Sequence, residues 1–253
     1  GRAGTHLIIN TMFGTDQADG VRFGACGDPG TGTNPDIIGN LPGASKAYMP
    51  RGKIAPENAE LGRKIPAKAF SQADAHYFNF TDKPILREFW LNVYTVSKDK
   101  IKGESTQIRA MGGLSWSVLP IAMGTDTVYK YECPITTDGR IIALLGHYHS
   151  HGKRFTAFLN DTKVFEMYDY LDPKIFDYNS ITKNPEFGPE SAKQAGATTG
   201  MLNVKAGDVI KWECHIINDD QAAGLRYTNE VKTGEMCNLW GESVGPEINC
   251  VVP

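Results

Sequence analysis

Arg140-Ile-Ile-Ala-Leu-Leu-Gly-His-Tyr-His-Ser-His151, then Arg154-Phe-Thr-Ala-Phe-Leu159, then Thr162-Lys-Val-Phe-Glu-Met-Tyr-Asp-Tyr170 read as three strands in succession. Apolar residues run together or alternate with a period of two, and Gly, Asn and Asp punctuate them. Asn160-Asp161 between the second and third runs has the chemistry of a hairpin turn. Upstream, Thr136-Thr-Asp-Gly139 is a turn leading into the first run, and downstream Gly207-Asp208 introduces Val209 in the same manner. Working outward, the same pattern predicts further strands over residues 5–12, 76–80, 88–96, 127–133, 209–217 and 235–240. Helical periodicity is hard to find. The fold class expected is therefore all-β, with antiparallel sheets stacked as sandwiches.

With 253 residues the chain is long enough for two such domains. Residues 24–66 are rich in Gly, Pro, Asn and small side chains and read as long loops crossing the first domain. Residues 97–113 break the strand pattern and mark the expected boundary, with a first β-domain over 1–105 and a second over 106–253. A polar, Pro-containing insertion is expected over 179–197, and no internal repeat is seen. Lys and Arg (26) nearly balance Asp and Glu (29). No long run of one sign supplies the basic face that phosphate binding requires, so nucleic acid is excluded as a partner. Apolar runs are too short for a membrane span. The chain opens at Gly1 rather than Met, which suggests an upstream segment removed or lying outside this chain.

The five cysteines are Cys26, Cys133, Cys214, Cys237 and Cys250, and none forms a C-x-x-C pair. Four lie in the second half. They suit two disulfides in a secreted or periplasmic domain, the alternative being buried free thiols.

Two short motifs carry metal chemistry. His147 and His149 are two apart, so on a regular strand they share a face, as does His151. Paired imidazoles are half of a metal site, while the plainer alternative is a row of surface histidines. Near the C-terminus, Thr233-Gly-Glu-Met236-Cys237-Asn238-Leu-Trp240 offers the soft thioether of Met236. A thioether favours copper, above all Cu(I), although a Met is also an ordinary core residue.

Together these motifs resemble the ascorbate-dependent, type II copper monooxygenases, the family of peptidylglycine hydroxylating monooxygenase and dopamine β-monooxygenase. In that family an H-x-H strand and a later Glu-Met-Cys-Asn segment supply the catalytic copper ligands. The resemblance implies a copper held by His147, His149 and Met236, with Asn238 in the substrate pocket. It also implies disulfides Cys133–Cys250 and Cys214–Cys237, leaving Cys26 unpaired. Upstream, Gln72-Ala-Asp-Ala-His76-Tyr77-Phe-Asn79 resembles the family's Q-x-H-Y-x-N segment, and Gly4-Thr5-His6-Leu7 its adjacent His pair. Those positions imply a second, electron-transferring copper at His6 and His76. Thr5 replaces one of its three His ligands, so this site is expected to be weak or empty. The implied fold is two jelly-roll-like antiparallel sandwiches, the first incomplete at its N-terminus. Implied partners are O2, a small-molecule substrate and an ascorbate-like reductant. Leu145 stands where the peptide-amidating enzyme has a carboxylate-gripping Arg, and Trp240 where it has a pocket Tyr, so an amidating activity is not expected. A non-enzymatic copper-capture or copper-transfer protein on the same fold is the alternative. Cupins also use H-x-H, but their following Glu is absent from Lys153-Arg154-Phe155. His151 and His215 are read as lying outside the ligand set.

Overall fold

A computed structural model describes residues 5–13, 36–40, 61–62, 70–77, 82–84, 99, 103–170, 175–177 and 202–252. The chain divides into two compact units, Gly1–Met49 with Arg63–Lys100, and Pro50–Gly62 with Ile101–Pro253. The architecture is all β, with a 3-10 turn at Leu114–Ser117.

In the first unit, β1 (Thr5–Phe13), β2 (Asp36–Asn40) and β4 (Phe70–Tyr77) form an antiparallel sheet with β1 in the centre. Two expectations change here. Residues 24–66 are not all loop, because β2 and the short β3 (Leu61–Gly62) lie inside them. The strand expected over 76–80 instead starts at Phe70 and ends at Tyr77, where pairing with β1 outweighs the weak strand propensity of Ser71-Gln-Ala-Asp-Ala. The strand expected over 88–96, the insertion over 179–197 and Cys26 lie outside the described residues.

The second unit contains β3, with β5 (Gly103–Glu104) parallel to it, and β6 (Thr106–Gly112). Residues 97–113 therefore do not break the strand pattern throughout: β6 is an interior strand. Its alternation is faint because only Ile108 and Ala110 turn inward. The remaining strands are β7 (Thr125–Pro134), β8 (Gly139–His147), β9 (Gly152–Leu159), β10 (Thr162–Met167), β11 (Ile175–Asp177), β12 (Leu202–Val204), β13 (Val209–Asn218), β14 (Arg226–Tyr227), β15 (Gly234–Glu235), β16 (Cys237–Val244) and β17 (Ile248–Val251). One sheet runs β10-β9-β13-β7; the other runs β11-β8-β16-β6-β17, with β12 also paired to β8. All these pairings are antiparallel except β17 on β6.

The two sheets share one core. Phe155, Ile210, Trp212 and Ile216 from the first sheet and Ile108, Ile141, Leu144 and Leu239 from the second are among its buried residues. Trp212 stacks on Tyr131 at 5.6 Å and donates its indole N–H to the carbonyl of Cys237 at 2.8 Å, so its one polar atom is satisfied inside the core. Two disulfides tie the sheets together. Cys133 on β7 joins Cys250 on β17 with Cα atoms 6.1 Å apart, and Cys214 on β13 joins Cys237 on β16 with Cα atoms 5.9 Å apart. These are the pairs that the family resemblance implied. Turn chemistry agrees with the sequence as well: Asn160 takes a φ of 53° in the β9–β10 hairpin, a conformation Asn tolerates better than most residues.

One irregularity positions the site. Along β8 the register against β16 slips between Glu242 and Ser243, which pair with Ala143 and Ile141. This bulge adds one residue to β8, so Ile141 and Leu144, three apart, both face the core. Leu145 and His147 are thereby turned to the outer face of the sheet.

Candidate metal centre

β8 ends at His147, not at residue 151. Its imidazole opens an outer-face cluster. Asn238 is directly opposite His147, and Trp240 directly opposite Leu145. Trp240 lies flat on the His147 ring, with centroids 4.7 Å apart and an interplanar angle of 15°.

Tyr148, His149, Ser150 and His151 form a turn, closed by the Gly152 amide on the His149 carbonyl at 3.1 Å. His147 and His149 therefore meet through a loop rather than by strand alternation. Their rings are 5.2 Å apart and perpendicular, and both side chains are buried. The His149 Nδ1 faces the Gly234 carbonyl at 3.3 Å. A carbonyl only accepts, so this contact puts the proton on Nδ1 and makes Nε2 the nitrogen that carries the lone pair.

Glu235 holds this loop. It is fully buried, and one carboxylate oxygen accepts from the amides of His149 and of Met236, the latter at 2.9 Å. The other accepts from the amides of His151 at 3.1 Å and Gly152 at 3.0 Å. Those amides have left the sheet ladder, which is why neither β8 nor the run expected over 235–240 is continuous: Met236 separates β15 from β16. Burial pushes the Glu235 carboxyl up to about 7, against the pull of the four amides.

Met236 is buried beside this loop. The Asn238 carboxamide nitrogen reaches its sulfur at 3.6 Å and the Tyr227 hydroxyl at 3.1 Å, while the Asn238 oxygen accepts from the Gly112 amide at 3.3 Å. A thioether has two lone pairs, so one remains after this contact. Among the described residues no three His, Cys, Asp or Glu side chains converge as a metal cluster. A centre at the two imidazoles would take the Met236 thioether as third donor. That donor set, two imidazoles and a soft sulfur, fits copper.

Other sequence-predicted residues fall as follows. His151 has both ring nitrogens engaged, Nε2 with Asp220 at 2.8 Å and Nδ1 with Ser150 at 3.3 Å. His215 is partly exposed and pairs with Asp126 at 2.6 Å. His76 pairs with Leu7 across β1 and β4, and His6 sits at the register slip between Thr5 and Leu7, so the backbone brings the two positions next to each other. Their side chains lie outside the described residues.

Sequence reasoning gave Glu235 and Tyr227 no role. A Glu inside an apolar segment was the available signal for Glu235, since a buried carboxylate demands partners. The fold and cluster together define a disulfide-bonded β-sandwich in which two buried imidazoles meet at a loop that the Glu235 carboxylate ties to the Met236 amide. No protein-family model matches the chain, and no curated protein is significantly similar to it in sequence.

Proposed function

We propose that this protein binds copper through His147, His149 and Met236 and acts as a copper-dependent monooxygenase, hydroxylating a C–H bond of a small molecule with O2 and an ascorbate-like reductant. The observation that carries the reading is the perpendicular, buried imidazole pair whose loop is fixed by the same carboxylate that holds the Met236 amide. Copper bound there would supply the O2 activation and one-electron chemistry. The chain's own residues do the rest. The Gly234 carbonyl orients the His149 ring through Nδ1, Asn238 steadies the Met236 sulfur, and Trp240 covers one face of His147 against water. The two disulfides suit a secreted or periplasmic setting. His6 and His76, neighbours on β1 and β4, are the positions for the second, weaker copper.

Thr5, standing where a third ligand of that second site is expected, favours a second reading: copper capture or transfer without turnover. Metal titration should give one tight copper per chain and at most one much weaker. X-ray absorption of the Cu(I) form should show imidazole nitrogens and one sulfur. Met236→Ile should abolish the sulfur scattering and weaken Cu(I) more than Cu(II). Absence of Cu–S scattering in the parent protein would overturn the ligand set. Ascorbate-driven O2 uptake, expected to be slow, separates the enzyme from a capture protein, which would show none.

A further inference from the structure

Asn160-Asp161-Thr162 has the form Asn-x-Ser/Thr, with x other than Pro, that accepts an N-linked glycan in secreted proteins. Metal binding makes no use of it. The tripeptide supplies the turn between β9 and β10 and the first residue of β10. Asn160 and Asp161 are exposed and Thr162 is half-buried. A tripeptide alone is a weak signal, and its surroundings decide whether the fold can carry the modification.

The Asn160 backbone amide donates to the Val209 carbonyl at 2.7 Å, and its carboxamide oxygen accepts from the Val209 amide at 2.9 Å. Its Nδ2 donates to the Asp208 carboxylate at 3.1 Å. These three bonds clasp the hairpin to the Gly207-Asp208 turn that precedes β13. Two hydrogens sit on Nδ2, and the bond to Asp208 uses one of them. N-glycosylation replaces one hydrogen and leaves one. A glycosylated Asn160 therefore keeps the donor and the acceptor that the clasp requires. The backbone φ of 53° is equally untouched, because the substitution falls at the far end of the side chain. The position also leaves the metal centre open. β9 is eight residues long and runs from the histidine loop to Asn160, so about 25 Å separate the glycan from that loop.

We propose that Asn160 is a site of N-glycosylation, taking an oligosaccharide from a lipid-linked diphosphate donor as the chain enters the secretory pathway. In the transfer Nδ2 attacks the anomeric carbon of the donor sugar. The carbon–nitrogen bond forms as the bond from that carbon to the diphosphate oxygen breaks. The lipid diphosphate leaves with the electron pair, and one Nδ2 proton passes to a base of the transferase. The Thr162 hydroxyl is the feature by which the tripeptide is recognised. The proposal rests on the secreted setting that the two disulfides suit, and not on the copper.

The test takes the full chain from its native source and, for variants, from a eukaryotic secretory host. Peptide mapping should find a glycan on the peptide that contains Asn160, and digestion with peptide-N-glycosidase should remove it and leave Asp in place of Asn160. Thr162→Val keeps the Asn160 carboxamide and its clasp, yet should lose this glycan, whereas Thr162→Ser should retain it. Asn79-Phe-Thr81 has the same tripeptide form, so the loss is read on the Asn160 peptide rather than on total mass. An unmodified Asn160 peptide in the native protein, or a glycan on it that survives Thr162→Val, would overturn the proposal. Mapping without reduction separates the two readings. Closed disulfides with an unmodified Asn160 refute this proposal alone. Free thiols with an unmodified Asn160 refute the secreted setting as well.

Discussion

Glu235 shows how much one side chain can decide. Its two oxygens accept from four amides, three of them on the loop after β8. A glutamine in its place would turn an NH2 group toward amides that also donate, leaving two of them without acceptors in a buried site. Glu235→Gln is therefore expected to lose about 2–4 kcal/mol in chemical denaturation, and to weaken Cu(I) binding in parallel. A surface carboxylate offers a test by pH. Asp208 accepts from the Asn160 carboxamide at 3.1 Å and from the Lys205 amide at 2.7 Å, and these bonds hold its carboxyl below the ordinary 3.8. A depressed folded-state value means that its contribution is complete above the unfolded value and disappears as pH falls through the folded one. The gap in Tm between the parent and Asp208→Ala should thus be constant from neutral pH down to about 5 and should narrow below about 4. A gap that widens on acidification would refute that origin.

Among the elements, β8 and β16 decide where the site faces. The bulge on β8 sends His147 outward, and Gly241 on β16 lies beside it. A Cβ on Gly241 would overlap the carbonyl oxygen of Ala143, which as backbone cannot swing aside. Gly241→Ala should force β8 from β16, cost about 1–3 kcal/mol, and disturb the stacking of Trp240 on His147, visible in the near-ultraviolet circular dichroism. Unchanged stability and spectrum would mean that the strands are less tightly placed than described. The strand-forming character of Arg140 to His147 was legible, because a long apolar run between turn signals needs no partner to be recognised. Its bulge was not, since a register slip belongs to the pairing with β16 and has no signature in β8 alone. That His147 and His149 form a pair was readable, but the loop through which they meet was not. It depends on Glu235, whose nearest loop partner is 83 residues away.

At the scale of the whole molecule, the two disulfides bind the two sheets of the second unit into one sandwich, with sequence separations of 117 and 23 residues. If chain entropy dominates, the longer loop gives the larger stabilisation. The Cys133→Ser/Cys250→Ser pair should then cost about 1 kcal/mol more than Cys214→Ser/Cys237→Ser. The reverse order in denaturation would point to native-state packing as the dominant contribution. These separations also set a timetable. A chain emerging from the ribosome presents Cys133 and the histidine loop long before Glu235, Met236 and Cys250 exist to receive them. Until then β16, which completes the sheet beside β8, is missing, and Cys133 and Cys214 are the only thiols of this unit available to each other. The site can therefore be assembled only after β16 and β17 have been made. On the proposed copper reading, metal uptake in a pulse-labelled culture should follow the closure of Cys133–Cys250.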